Sequence, residues 1–291
     1  MVTLHNEFLD VSISENGAEL TSIRTAEREY LWQADPEFWG RHSPVLFPIV
    51  GNLYDKKCKV NGVEYGMGQH GFARDSAFQS VSEKADEVWF CLDSSDESKK
   101  KFPFDFRLEI GYRLHEKCVD VMWRVVNTSK EEVLPFQIGA HPAFYWPEYN
   151  VAEDARGFFA FDAKGTMTSR KLIGKGCVSP TETFDVSLDD EGMLPLSADT
   201  FDVIDTIILE RQVHSVALCD INRKPLIALH FDAPVVGLWS PPGRRAPFVC
   251  IEPWYGRCDT YGYDGEFLQR DWVNTLKPGE QFDSVYTIEI C

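Results

Sequence analysis

The chain has 291 residues, and its 46 acidic against 29 basic side chains give a formal net charge of −17, which opposes binding to phosphate backbones and anionic lipid surfaces. Neither nucleic acid nor a membrane is expected as a partner. No run reaches the length of a membrane span, and Met1-Val2-Thr3-Leu4-His5-Asn6-Glu7 lacks the basic start and apolar stretch of a signal peptide, so a soluble cytoplasmic protein is expected.

In chain order, a strand is expected at residues 9–14, then a short helix at 35–39 with Asp35 as N-cap before Pro36. A strand at 88–92 and a second short helix at 95–101 follow. The clearest signal is strict alternation: Phe106, Leu108, Ile110, Tyr112 and Leu114, then Val119, Val121, Trp123 and Val125, with His115-Glu116-Lys117-Cys118 between. Period two on both sides of a short polar link predicts an antiparallel hairpin with one buried face. Residues 153–198 are the poorest in long apolar runs, although Phe158, Phe159, Phe161 and Phe184 lie there, and they are expected to form an irregular excursion. Further strands are expected at 206–209, 215–218, 226–231 and 284–290, punctuated by turn sequences such as Lys277-Pro278-Gly279-Glu280. Strands following strands without helical crossovers predict an all-β fold, a large antiparallel β-sandwich, with residues 1–291 forming one domain.

Several short segments carry chemistry. Gly66-Met67-Gly68-Gln69-His70-Gly71 fits the dinucleotide fingerprint G-x-G-x-x-G, but no helical stripe follows it, so the match is read as accidental. His70 lies among glycines that allow unusual backbone angles, with Arg74 just after it and Arg41 upstream as fixed donors for a hydroxyl-rich or anionic ligand. His141 ends the apolar segment Phe136-Gln137-Ile138-Gly139-Ala140, and Pro142 stops or bulges the strand there. Glu252 interrupts Pro247-Phe248-Val249-Cys250-Ile251, where a carboxylate is costly unless it has partners or a task. Asp205 opens the apolar run Thr206-Ile207-Ile208-Leu209. Trp39, Trp146, Trp239 and Trp254 offer flat walls for a sugar's C–H face, although as a group they read mainly as core.

Other chemistries fare worse. His70, His141 and Glu252 have the composition of an iron-type facial triad, yet no H-x-H or H-x-x-x-H pair presents two ligands from one element, and no metal is expected. The eight cysteines lack a C-x-x-C pair and read as buried free thiols. There is no G-x-S-x-G nucleophile elbow.

The stretches 40–51 (GRHSPVLFPIVG), 68–75 (GQHGFARD), 138–144 (IGAHPAF), 204–209 (IDTIIL) and 248–259 (FVCIEPWYGRCD) resemble, in this order, the aldose 1-epimerase or galactose mutarotase-like family, especially its divergent bacterial branch. The resemblance implies a β-supersandwich with an open sugar cleft and no cofactor. It also implies Glu252 as general base, His141 as general acid, His70 and Arg41 as sugar-orienting groups and Asp205 as an acceptor for hydroxyls. Arg74 and Trp239 complete the expected substrate-binding set. Ala140 stands where the best-known members carry Asn, and Gly71-Phe72 follows the first histidine where they carry two glycines, which loosens the tie to galactose. The His-Gly-Phe-Ala-Arg form is similar to relatives acting on hexose 6-phosphates, so a sugar phosphate held by Arg74 and Arg41 is an alternative substrate. A carbohydrate-binding module without catalysis is the other alternative. The expected chemistry is ring opening by ionised Glu252 and protonated His141, their mutual attraction favouring the charged pair. No residue pattern specifies an oligomeric state.

Overall fold

The computed structural model describes residues 1–146 and 148–291. The expected hairpin forms from strands Phe106–His115 and Cys118–Asn127, paired from His115↔Cys118 to Asn127↔Phe106. Glu116 turns the corner with φ +50°. All nine alternating apolar residues named above are buried. Outward-facing Arg107, Glu109 and Arg124 form ion pairs on the opposite face. Burying a Val, Leu, Ile or Phe side chain stabilises the fold by ~1.5–3 kcal/mol, and with seven such residues plus Tyr112 and Trp123 in register the strand has no competitive one-residue slip.

The hairpin lies within a nine-stranded sheet ordered Met193–Ser197, Ala155–Phe161, Ser215–Cys219, Pro225–Phe231, Gln281–Ile290, Cys118–Asn127, Phe106–His115, Glu87–Asp93 and Gln79–Glu83. A second, eight-stranded sheet runs Cys177–Ser187, Thr166–Gly174, Thr206–Glu210, Val235–Trp239, Phe248–Tyr255, Ile138–Ala140 and Val45–Leu46, with Ala143–Tyr145 also paired to Phe248–Tyr255. Every pairing within these sheets is antiparallel. The two sheets share one apolar cluster, to which the first contributes Leu108, Ile110, Val121 and Ile288 and the second Ile207, Val236, Val249 and Ile251. This is the expected all-β sandwich.

Strand Phe248–Tyr255 positions the site. Val249 and Ile251 face the shared core, while Phe248, Cys250 and Trp254 belong to two smaller clusters on the outer face. With both faces covered, seven of its eight residues are buried, which is why the sequence there is apolar without alternation. The outer face carries Glu252 as well, since side chains two apart share a face.

Two expectations fail. Residues 153–198 are not irregular: they supply strands Ala155–Phe161 and Met193–Ser197 at one end of the nine-stranded sheet and the hairpin Thr166–Gly174/Cys177–Ser187 at one end of the eight-stranded sheet. These end strands bury few side chains and are broken by register shifts, so their apolar pattern is diluted. Residues 35–39 form one turn, with Phe38 and Trp39 N–H donating to Asp35 O at 3.1 and 2.9 Å, and no helix. Trp39 leaves that turn to pack on another aromatic ring instead of continuing a spiral. The second short helix does form, at Asp96–Lys99, with a reciprocal cap between Ser95 and Ser98. The accidental fingerprint is followed by only a three-residue 3-10 turn, Ala73–Asp75, so no helix N-terminus faces a phosphate. No helix among the described residues is long and apolar enough to cross a membrane.

Candidate active site

On either side of Pro142 the chain pairs with strand Phe248–Tyr255 in one unbroken register: Gly139 with Trp254 before it, Ala143 with Cys250 after it. Continuing that register across the gap sets His141 directly opposite Glu252, and Ile251 N–H donates to Pro142 O at 3.3 Å in agreement. His141 Nε2 lies 3.3 Å from Glu252 Oε2. On the other side, Glu252 is paired with Gly237, where any Cβ would meet the Trp254 ring at 2.4 Å. A glycine there lets the indole lie across the sheet.

Around the pair lies a cleft of about 360 Å³, lined by His70, Arg74, Asp205, Trp39, Trp239 and Trp254 among others. A larger hollow of about 520 Å³ holds Phe104, Val133, Phe267 and Leu268 but none of the expected site residues. Convergent polar groups, not size, mark the smaller one as the site. Trp39 stacks on the His141 ring at 4.7 Å and 28°, and Trp239 meets it edge-on at 5.5 Å. Three of the four tryptophans thus wall the cleft, and they do so from the core: Trp254 is buried, and Trp39 and Trp239 pack against the cluster around Phe248. Trp146 is not among the cleft's lining residues.

His70 sits at φ +64° beside Gly71, whose own φ is +75° and where a Cβ would meet Phe47 O at 2.2 Å. The motif therefore needs its glycine at position 71 to turn the imidazole inward. Gly51 fixes the ring: its N–H donates to His70 Nδ1 at 3.1 Å, and its O accepts from the His70 N–H at 2.8 Å. With Nδ1 accepting, neutral His70 carries its proton on Nε2 and presents a donor. Gly51 is held from behind by a buried network. Val50 N–H and Arg270 Nη1 donate to Gln137 Oε1 at 3.0 and 3.1 Å. Arg270 Nε donates to Asp259 Oδ1 at 2.6 Å, and Tyr54 N–H to Asp259 Oδ2 at 2.8 Å.

Asp205 is exposed at the cleft mouth with φ +64° and ψ −82°, close to a strained γ-turn conformation. Strain of this kind concentrates at ligand-contacting positions. Its Oδ1 accepts from Thr206 Oγ1 at 3.0 Å. Arg74 donates through Nη2 to Gln69 O at 2.7 Å, while its buried Nε makes no hydrogen bond and lies 3.9 Å from Asp75 Oδ2. Arg41 differs from its expected place: its Nη2 is bound by Asp75 at 2.7 Å, and it is not among the lining residues. Gln69, Thr206, Leu172 and Ile208 line the cleft without having been singled out. Gln69 lies inside the histidine motif, Thr206 and Ile208 read as ordinary strand residues, and Leu172 falls in the stretch expected to be irregular.

Burial opposes the charged forms that mutual attraction favours. Burial pushes the Glu252 carboxyl well above its usual value, opposed by the Trp254 indole N–H. Burial, then the charges of Arg74 and Arg41, pull His141 down to about 3. Burial and the charges of His141 and the two arginines hold His70 well below its ordinary value. Burial and the Arg41 charge bring Arg74 to about 10, still cationic at neutral pH. Burial thus favours the uncharged form of each group over the ion pair. Both remain short of partners: Glu252 Oε2 and His141 Nδ1 are buried without a hydrogen bond. The metal-ligand grouping also changes. His141, Cys250 and Glu252 have donor atoms within 4.8 Å of one another, and His70 is not part of this set.

A family profile for aldose 1-epimerase matches residues 1–289. The chain belongs to the aldose 1-epimerase family. It is similar to the plasmid-encoded protein LacX of Lactococcus lactis subsp. lactis, 30% identical over 298 residues and covering 99% of both chains. Among solved structures it is similar to a galactose mutarotase related enzyme from Lactobacillus acidophilus, with TM-score 0.92 and 32% identity over 100% of this chain and 97% of that one. A galactose mutarotase-like protein from Lactobacillus casei matches with TM-score 0.91 and 29% identity, each chain covered completely at 100%. Across the aldose 1-epimerase family the site must serve a small sugar, which suits a cleft lined by hydrogen-bonding groups and indole faces.

Proposed function

We propose that this chain interconverts the α and β anomers of a hexose by acid–base ring opening, with Glu252 and His141 as the proton-transfer groups. The observation carrying this reading is the cross-strand pair itself: two titratable groups 3.3 Å apart in a sugar-sized cleft, with unused hydrogen-bonding capacity on both. His70 Nε2–H, Asp205 and Arg74 orient the hydroxyls, and Trp239 covers a C–H face. Arg41 contributes its charge from outside the lining.

The proton count suits a reaction that runs both ways. In the closed-ring complex, ionised Glu252 takes the proton of the anomeric hydroxyl while protonated His141 delivers one to the ring oxygen, and the C1–O5 bond breaks. The products are the open aldehyde, a neutral carboxylic acid and a neutral imidazole. That is the protonation state burial favours, so the site's environment lowers the energy of the aldehyde complex relative to the closed-ring one. In the unliganded site, a single proton passing from Glu252 to His141 generates the reactive charged form before ring opening. After rotation about C1–C2, the same groups act in reverse and close the ring on the other carbonyl face. No step calls for a cofactor. Each well-placed group contributes ~10²–10⁴-fold.

A free hexose is the favoured substrate because Asp75 already neutralises Arg41. A 6-phosphorylated hexose is the second reading, favoured by Arg74, whose buried Nε makes no hydrogen bond within the protein. Saturation-transfer NMR on a panel of free and 6-phosphorylated hexoses tests both. Enzyme-dependent anomer exchange that survives chelator is the expected result. Sugar binding without accelerated exchange would make the chain a carbohydrate-binding module instead.

A further inference from the structure

Behind the cleft wall lies a side chain that the reaction does not use. Cys250 shares the outer face of its strand with Glu252 two residues on, and it is fully buried against Trp32, Ala143, Ala246 and Phe248. Its thiol, the Glu252 carboxyl group and the His141 imidazole have donor atoms within 4.8 Å of one another. Independently of the thiol, Glu252 Oε2 and His141 Nδ1 are buried without a hydrogen bond, and the side chains of these residues are only 2% and 9% exposed. We propose that Cys250, His141 and Glu252 form a site for a zinc-class divalent cation, and that the ion, when bound, silences the proton-transfer pair. The silencing rests on the ring-opening reading; the binding does not.

The donor set matches the ion. One sulfur, one imidazole nitrogen and one carboxylate are the ligand types zinc takes, and three protein ligands leave a fourth position facing the cleft for water or a sugar hydroxyl. Zn–S of about 2.3 Å and Zn–N and Zn–O of about 2.0–2.2 Å set tetrahedral donor separations near ~3.3–3.6 Å. Side-chain shifts of about 1 Å close the present spacing to those values.

The charges also balance. A divalent cation displaces the thiol proton and the carboxyl proton, two in all, while neutral His141 coordinates through a lone pair. The resulting complex of one doubly charged cation, one thiolate and one carboxylate has no net charge, which suits a site where burial disfavours ions. Once the carboxylate and imidazole lone pairs are committed to the metal, neither can accept or deliver the substrate's protons.

The test uses cobalt(II) as a spectroscopic probe and zinc(II) as the inhibitor, on the full chain. Wild type is expected to develop a near-ultraviolet thiolate-to-cobalt band that saturates at one equivalent and is bleached by zinc. Cys250→Ser is expected to lack the band, and Cys250→Ala serves as a second variant should serine perturb the packing. Zinc is expected to stop anomer exchange in wild type and release it on chelation. The Cys250 variants should keep basal exchange and need more zinc by over the ~10–100-fold that loss of a mere outer-shell partner costs. No cobalt–thiolate band in wild type, or an equal band in the Cys250 variants, overturns the site. Equal zinc sensitivity in wild type and the variants overturns the silencing. If the metal-free chain shows no exchange at all, the ring-opening reading fails while the cobalt spectrum still decides the site.

Discussion

Two buried pairs of ionisable groups stand near this cleft, and they are treated in opposite ways. Asp259 and Arg270, with side chains only 3% and 1% exposed, have each carboxylate oxygen bonded, Oδ1 to Arg270 Nε and Oδ2 to Tyr54 N–H. Glu252 and His141 are comparably covered, yet each keeps a buried polar atom without a partner. Burial alone therefore does not distinguish a supporting pair from a reacting one. What distinguishes them is whether the hydrogen-bonding capacity is used within the protein or left for a ligand.

Breaking the first pair should have the largest effect on stability. Arg270→Met leaves Asp259 buried and uncompensated and should cost ~3–5 kcal/mol in urea unfolding, whereas adding Asp259→Leu should recover much of that loss. Because Asp259 and Gln137 hold the Tyr54 and Val50 amides on either side of Gly51, the single variant should also loosen His70 and raise KM. A single variant as stable as wild type would contradict a supporting role.

The second pair should respond with the opposite sign. Glu252 has a folded pKa raised above 4.5, so the folded chain keeps a proton that the unfolded chain releases. Stability from this group is full below about 4.5 and declines as pH rises towards the folded value. Glu252→Gln, which has no proton to take up on folding, should therefore be more stable than wild type at neutral pH, with the advantage vanishing under acid conditions. His141, lowered from 6.5 to about 3, makes the folded chain lose stability as pH falls through that window, and His141→Asn should flatten that limb. Denaturant titrations at a series of pH values check both; a destabilised Gln variant at neutral pH would argue that Glu252 is structurally satisfied.

The smallest effect is expected at Arg41. Its pairing with Asp75 at 2.7 Å is partly exposed, and pairs of this kind contribute ~0–1 kcal/mol, so Arg41→Met should change kcat/KM for a free hexose by no more than about fivefold. A much larger loss confined to a 6-phosphorylated hexose would show that the arginine reaches phosphate.

The same contrast explains what could be read in the sequence. Alternation from Phe106 to Val125 made the sandwich legible, because one face of that hairpin is buried and the other is wet. Glu252 was legible as a carboxylate inside an apolar run, and His70 as an imidazole among glycines. The partnership of His141 with Glu252 was carried only by the resemblance, since it depends on a register that continues across the break at Pro142. Burial's opposition to the charged pair was not legible, because the expectation weighed attraction between two charges without the desolvation that a buried site imposes. Cys250 was passed over because a cysteine in a buried strand looks like any small apolar residue. The strands within 153–198 were hidden because they lie at sheet ends and bury little.

The account's central claim is that Glu252 and His141 pass one proton between them and the sugar as a unit. Its most direct test is anomer exchange, followed by saturation-transfer NMR, in Glu252→Gln, His141→Asn and the double variant. Each single change should lower the rate by ~10²–10⁴-fold, and the double should fall little further than either alone. Near-wild-type exchange in Glu252→Gln, or losses in the two single variants that simply multiply in the double, would contradict it.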